Sequence, residues 1–161
     1  MTSEDAFGPA TSNALPEALC TTILHRVAFY ETDAMGIVHH ANYPRFFEEA
    51  RVRWLDEHDQ SYSAYLDRGL HFAVTRCEVD YHQSARFDDA LEVKTALDWV
   101  RGASLRMIYF VECTGRSIAS GATEHAAVDD SGRVRRIPRE DRARLLPLAR
   151  DQRRSKRPST I

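Results

Sequence analysis

Residues 26–51 read RVAFYETDAMGIVHHANYPRFFEEAR, and the organisation of the whole chain follows from them. The stretch begins inside a run rich in β-branched and aromatic residues, TTILHRVAFY over 21–30, which predicts a first strand. A polar-then-apolar loop around Gly36 comes next. Asn42 is a favoured helix N-cap residue. Pro44 lies just inside, where a missing N–H costs little. Tyr43, Phe46, Phe47, Ala50 and Trp54 then recur at spacings of three and four, forming one apolar helix face. Glu48, Glu49, Arg51 and Arg53 take the other directions. The spacing predicts a helix from Asn42 to Glu57.

Beyond that helix the pattern changes. A shorter helical piece, Ser61 to Arg68, stops at Gly69, a suitable C′ residue. The period then becomes two. Strands are expected over Leu70–Tyr81, Ala90–Val100, Ser104–Cys113 and Ser117–Val128. Arg101-Gly102, Thr114-Gly115 and the run Asp129 to Gly132 supply the turns. A final helical segment runs from Arg139 to Leu146. One strand, one long helix and a run of antiparallel strands make an α+β class. A single helix covers one face of such a sheet. The other face and the edge strands need cover of their own, which favours an oligomer.

The chain has 161 residues, 43% of them hydrophobic and 29% charged. Roughly 100–200 residues make one domain, so one core is expected, over residues 21–147. Residues 1–20 read as a flexible leader and 148–161 as a basic, disordered tail. No apolar run reaches the roughly 18 residues of a membrane helix, and the first residues are acidic, unlike a signal peptide. A cytoplasmic protein is therefore expected. Cys20, Cys77 and Cys113 are an odd number without metal-ligand spacing, which suggests reduced, buried thiols. The seven histidines are scattered, so no metal site is expected. Net charge is −2. From Arg133 to Arg157, eleven basic residues face three acids, a local +8 that leaves −10 on the remainder. A basic tail can attract phosphates or acidic carrier proteins. No aromatic residue interleaves its last run, so a solvated tail and no nucleic-acid partner are expected.

Chemistry concentrates between the first strand and the long helix. Asp33 follows the strand, Gly36 permits a tight turn, and His39 and His40 lead into the helix. A helix opening presents unpaired N–H groups and the positive end of the dipole, which suit an anion or a developing oxyanion. Taken locally, Asp33 reads equally as a turn-capping residue, and His40 as a satisfied, partly buried imidazole.

Residues 26–51 resemble the signature of the hotdog-fold acyl-CoA thioesterases, of the 4-hydroxybenzoyl-CoA and Tol–Pal-associated types. The matching elements are Thr32-Asp33, Gly36-Ile37-Val38, His40, Asn42-Tyr43, Arg45-Phe46 and Glu49-Ala50-Arg51. A second match is Tyr81 to Asp89 (YHQSARFDD), and a third runs from Gly132 to Pro138. The resemblance implies a hotdog fold, with one long central helix wrapped by an antiparallel sheet of about five strands. It implies hydrolysis of acyl-CoA without a cofactor. Asp33 takes the place of the essential carboxylate, as nucleophile or general base. His40, with Gly36 and Asn42, takes the place of the oxyanion site at the helix N-terminus. Tyr30, Val38, His39 and Tyr43 are the implied substrate contacts. The Tol–Pal branch has a tyrosine four residues before its aspartate. Here that place is Phe29, and Tyr30 beside it is the nearest phenol. The implied assembly is a homodimer that completes the active site, paired into a homotetramer. Two other readings share the fold: an acyl-carrier-protein thioesterase docked through the basic tail, and a non-catalytic acyl-CoA-binding module.

Overall fold

The computed structural model describes Ser12 and residues 15–156. Five antiparallel strands form one sheet: β1 (Cys20–Arg26), β2 (His71–Tyr81), β3 (Ala90–Val100), β4 (Ser104–Cys113) and β5 (Arg116–Val128). Their spatial order is β1-β3-β4-β5-β2, so β2 and β1 are the edges. The long helix α1 (Tyr43–His58) lies on the inner face, and α2 (Tyr62–Leu66) follows it. This is the expected α+β hotdog arrangement.

Period-two patterning explains the layering. Leu91, Val93, Leu97, Leu105, Met107, Tyr109 and Val111 are buried in one core with Phe46, Phe47, Ala50 and Trp54 of α1. Phe47 stacks flat on Tyr109, centroids 4.3 Å apart. Gly121 on β5 makes room for that ring. A Cβ there would lie 2.3 Å from the Glu78 carbonyl oxygen and 2.7 Å from Phe47.

The structure corrects several expectations. The first strand ends at Arg26, and Phe29–Glu31 form a 3-10 turn instead of continuing it. Glu31 causes the break: its buried carboxylate accepts from the Ala28 N–H and meets His25 Nε2, both at 2.8 Å. Within the leader expected over 1–20, the described residues contact the domain, and the Ser12 hydroxyl donates to Glu112 at 2.5 Å. The Leu19 carbonyl accepts from Trp54 Nε1 at 2.9 Å, and Leu15 packs on an apolar patch of the outer sheet face. Residues 1–11, 13 and 14 lie outside the described set. The described part of the expected tail, residues 148–156, likewise contacts the domain, and 157–161 lie outside the described set. Helix α3 (Arg139–Leu145) is followed by α4 (Gln152–Ser155). Arg150 and Arg154 converge on buried Asp98, at 2.5 and 3.9 Å, and Ser155 Oγ accepts from the Val100 N–H. The arginine run is anchored by an acid on a distant strand, a partner no local pattern reveals. Cys113 is buried as expected. Cys77 is exposed, because it lies on edge strand β2, where the sheet ends. No helix among the described residues is long and apolar enough to cross a membrane.

Candidate active site

The loop between β1 and α1 is shaped by its own backbone. The Asp33 N–H donates to the Ile37 carbonyl at 2.8 Å, and the Gly36 N–H to the Asp33 carbonyl at 2.9 Å. Gly36 has φ +73°, the left-handed conformation that closes a three-residue loop and that side chains resist. Asp33 Oδ1 accepts from the Met35 N–H at 2.8 Å, so the residue does act as a turn cap. That uses one carboxylate oxygen. Among the described residues nothing donates to the other.

A second segment holds this loop from the side. The Val38 N–H donates to the Ala85 carbonyl at 2.8 Å, and Ile37 bridges to Arg86. The turn Ala85–Asp89 is closed by Asp89 Oδ2 accepting from the Arg86 N–H, and it joins Val27 through two backbone hydrogen bonds. From behind, the Glu31 carbonyl accepts both the His39 N–H and Asn42 Nδ2, each at 2.8 Å.

The helix opening differs in detail from expectation. Residues His40–Asn42 form a 3-10 turn ahead of α1. Asn42 is already helical in backbone, and its side chain makes no capping bond. The extra turn moves the cap back to His39, whose Nδ1 accepts from the Ala41 N–H at 3.1 Å.

These elements border an open cleft of about 260 Å³. Asp33, Val38, His40 and Tyr43 line it from the loop and helix; Tyr81, His82, Gln83 and Ser84 line it from the chain leaving β2. The two residues at the centre of the sequence reading, Asp33 and His40, are thus brought to one cavity. Gly36 shapes the loop without lining the cleft. Asn42 and His39 act on the helix opening. Tyr30 is 83% exposed and outside the cleft of the single chain. The phenols that do reach it are Tyr43 and Tyr81. Burial pushes the Tyr43 phenol up to about 12, so it is a neutral donor at physiological pH. Tyr81 to Ser84 were legible only as part of a matching motif. Nothing in their local pattern separates a cleft wall from a surface turn.

Comparison with known proteins agrees with the fold and the motif. The model of the thioesterase-like superfamily matches residues 27–152. Acyl-CoA thioesterase YbgC of Haemophilus influenzae (strain ATCC 51907 / DSM 11121 / KW20 / Rd) is 35% identical over 123 residues, 73% of this chain and 88% of that protein. Acyl-CoA thioester hydrolase YbgC of Escherichia coli O6:H1 is 41% identical over 80 residues, 50% of this chain and 60% of that one. The crystal structure of hypothetical protein TT1821 from Thermus thermophilus superposes with a TM-score of 0.77 at 32% identity. That match covers 82% of this chain and 99% of that one. With a family match over most of its length and relatives this similar, the chain belongs to the thioesterase-like superfamily.

Proposed function

We propose that this chain hydrolyses acyl-CoA thioesters to a carboxylic acid and free CoA, with Asp33 as the reacting carboxylate and the helix opening at His40 as the oxyanion site. The thioester hydrolase class follows from the family, and the CoA donor from the relatives named for it. One observation carries the assignment of residues: Asp33, with an oxygen left over from its turn, lines the same cleft as His40 in the 3-10 turn ahead of α1.

The chemistry asks little of such a site. A thioester carbonyl lacks the resonance protection of an amide. Its thiolate leaves readily, the parent thiol having a pKa of about 8.5 by analogy with cysteine. Asp33 either attacks the carbonyl carbon, forming a mixed anhydride that water then opens, or takes a proton from an attacking water. In both routes negative charge gathers on the carbonyl oxygen. The His40 N–H donates to no acceptor among the described residues, and with the dipole of α1 it stabilises that charge.

The cleft opens beside edge strand β2, where residues 73–77 are exposed in unbroken succession. Phe29, Tyr30 and Phe87 stand exposed near the same loop, and Phe29 meets Phe87 edge-on at 5.8 Å. An edge with unpaired N–H and C=O groups beside apolar rings suits a second copy of the chain. We assign the dimer interface there. The carrier-protein reading draws less support, since Arg150 and Arg154 of the basic tail are engaged at Asp98.

The test is release of CoA thiol from a panel of short, long and aromatic acyl-CoAs. Wild-type protein releases thiol, and Asp33→Asn lowers kcat by about 10²–10⁴, the range for a positioned acid–base group. Full activity in a folded Asp33→Asn variant refutes the assigned mechanism.

A further inference from the structure

The His40 carbonyl stands at the mouth of α1, and the helix cannot satisfy it in the α-helical manner. Its regular donor is the N–H four residues on. Residue 44 is proline, which has none. The 3-10 turn offers it the N–H three residues on, and a further donor comes from across the cleft: the Tyr81 hydroxyl, at the end of β2, donates to the His40 carbonyl over 3.0 Å. The N–H of the same peptide unit belongs to Ala41 and donates to His39 Nδ1 over 3.1 Å. One peptide plane is therefore gripped at its oxygen by a phenol and at its nitrogen by an imidazole. The rings add to the grip. His39 stacks on His40 with centroids 4.3 Å apart, and Tyr81 meets the His40 ring edge-on at 6.5 Å and that of Tyr43 at 5.3 Å.

We infer that Tyr81 and His39 are positioning residues that clamp the His40–Ala41 peptide and so fix the direction of His40 in the cleft. This rests on the proposed role of His40 at the oxyanion site. Rotation of the 40–41 peptide changes ψ of His40, and with it the relation of the helix opening to the preceding N–H and imidazole. The clamp is not part of the core: Tyr81 is 52% exposed, and His39 is exposed. Its loss therefore costs alignment and leaves the fold in place. As an acceptor, Nδ1 of His39 carries no proton, which places the ring proton on Nε2. His39 thereby acts on the backbone through Nδ1.

Three variants test the clamp. Tyr81→Phe keeps the ring contacts and removes the hydroxyl. His39→Ala removes the acceptor, and His39→Asn restores one of the kind that caps helices. Tyr81→Phe and His39→Ala are each expected to lower kcat by about tenfold or more, as misalignment of a reacting group does. KM should stay within about threefold of wild type, the signature of an effect confined to the transition state. Melting temperatures should not move, His39→Asn should recover most of kcat, and the Ala41 amide should exchange faster in His39→Ala. Wild-type kcat in both Tyr81→Phe and His39→Ala overturns the clamp, as does a raised KM at unchanged kcat. Asp33→Asn, assayed alongside, separates the two ideas. If it is inactive while the clamp variants are unimpaired, the thioesterase reading stands and the clamp falls. If it is fully active, the reading falls, and unchanged Ala41 exchange in His39→Ala then overturns the clamp by itself.

Discussion

At the C-terminal end of α1, the carboxylates of Asp59 and Asp141 are buried and met by guanidinium groups; near its N-terminal end, Asp33 keeps an oxygen free in an open cleft. Arg144 binds both buried acids, at 2.9 Å to Asp59 and 2.6 Å to Asp141. Arg68 adds two bonds to Asp141, and the Tyr65 hydroxyl donates to Asp59. Burial alone would push the Asp141 carboxyl up, but Arg68 and Arg144 outweigh it and hold it below its usual range. Such acids bind elements together, here α2 and α3 to the end of α1. Asp33 has no guanidinium among the described residues, only the N–H groups of its own turn. The difference teaches that the same side chain is structural where its charge is matched on all sides and is available for chemistry where it is not.

Exchanging the two kinds of carboxylate is the sharpest way to break this comparison. Asp33→Asn should remove nearly all thiol release while leaving the melting temperature within about 2 °C, as expected of a partly exposed loop position. Asp141→Ala should do the reverse. It removes the acid shared by Arg68 and Arg144, leaving Arg144 only Asp59; because both guanidinium groups are nearly half exposed, the loss should cost about 2–3 kcal/mol by denaturant unfolding, with kcat of the folded fraction close to wild type. Loss of stability in the first variant, or of turnover in the second, would erase the distinction.

A smaller effect is expected midway along α1. Gly121→Ala thrusts a methyl group into the Glu78 carbonyl and the Phe47 ring, and should cost about 1–3 kcal/mol as overpacking does. Because Phe47 lies four residues beyond Tyr43, the same variant asks whether strain in the core reaches the cleft. Unchanged kcat would show that the two regions are mechanically separate.

The most gradual effect concerns pH. Burial, with Arg51 close by, pushes the His125 imidazole down to about 3. It is neutral when folded, whereas in the unfolded chain it protonates near 6.5. Between those values the unfolded state binds more protons, so stability falls as pH drops below about 6.5, by at most about 1.4 kcal/mol per unit. Asp141 contributes in the same direction only at lower pH. Its stabilisation is present above the unfolded carboxyl value of about 3.9 and is lost as pH falls through its lower folded value. His125→Gln should flatten unfolding free energy between about pH 4 and 6.5. Unaltered slope in that variant would remove His125 from the account.

The fold was largely legible because its determinants are local and periodic. The alternation of Leu91, Val93, Thr95 and Leu97 and the three-four spacing along α1 set the layers with little help from elsewhere. What escaped prediction depends on residues distant in sequence. Glu31 ends β1 by reaching back to Ala28 and His25. Asp98 anchors arginines more than fifty positions away. Tyr81 becomes part of the cleft only because β2 returns beside the helix opening. Asn42 illustrates a subtler miss: its type suits a cap, but the 3-10 turn ahead of α1 passes that task to His39. At the site, Asp33 and His40 could be singled out because loop, glycine and helix start adjoin in sequence. The facing wall could not.

The most direct test of the central claim is a crystal structure with a thioether analogue of an acyl-CoA that keeps the carbonyl but cannot be cleaved. The account predicts the carbonyl oxygen about 3 Å from the His40 N–H, the distance an oxyanion donor requires, with the Asp33 carboxylate facing the carbonyl carbon. An acyl group bound elsewhere, with Asp33 turned to solvent, would contradict it.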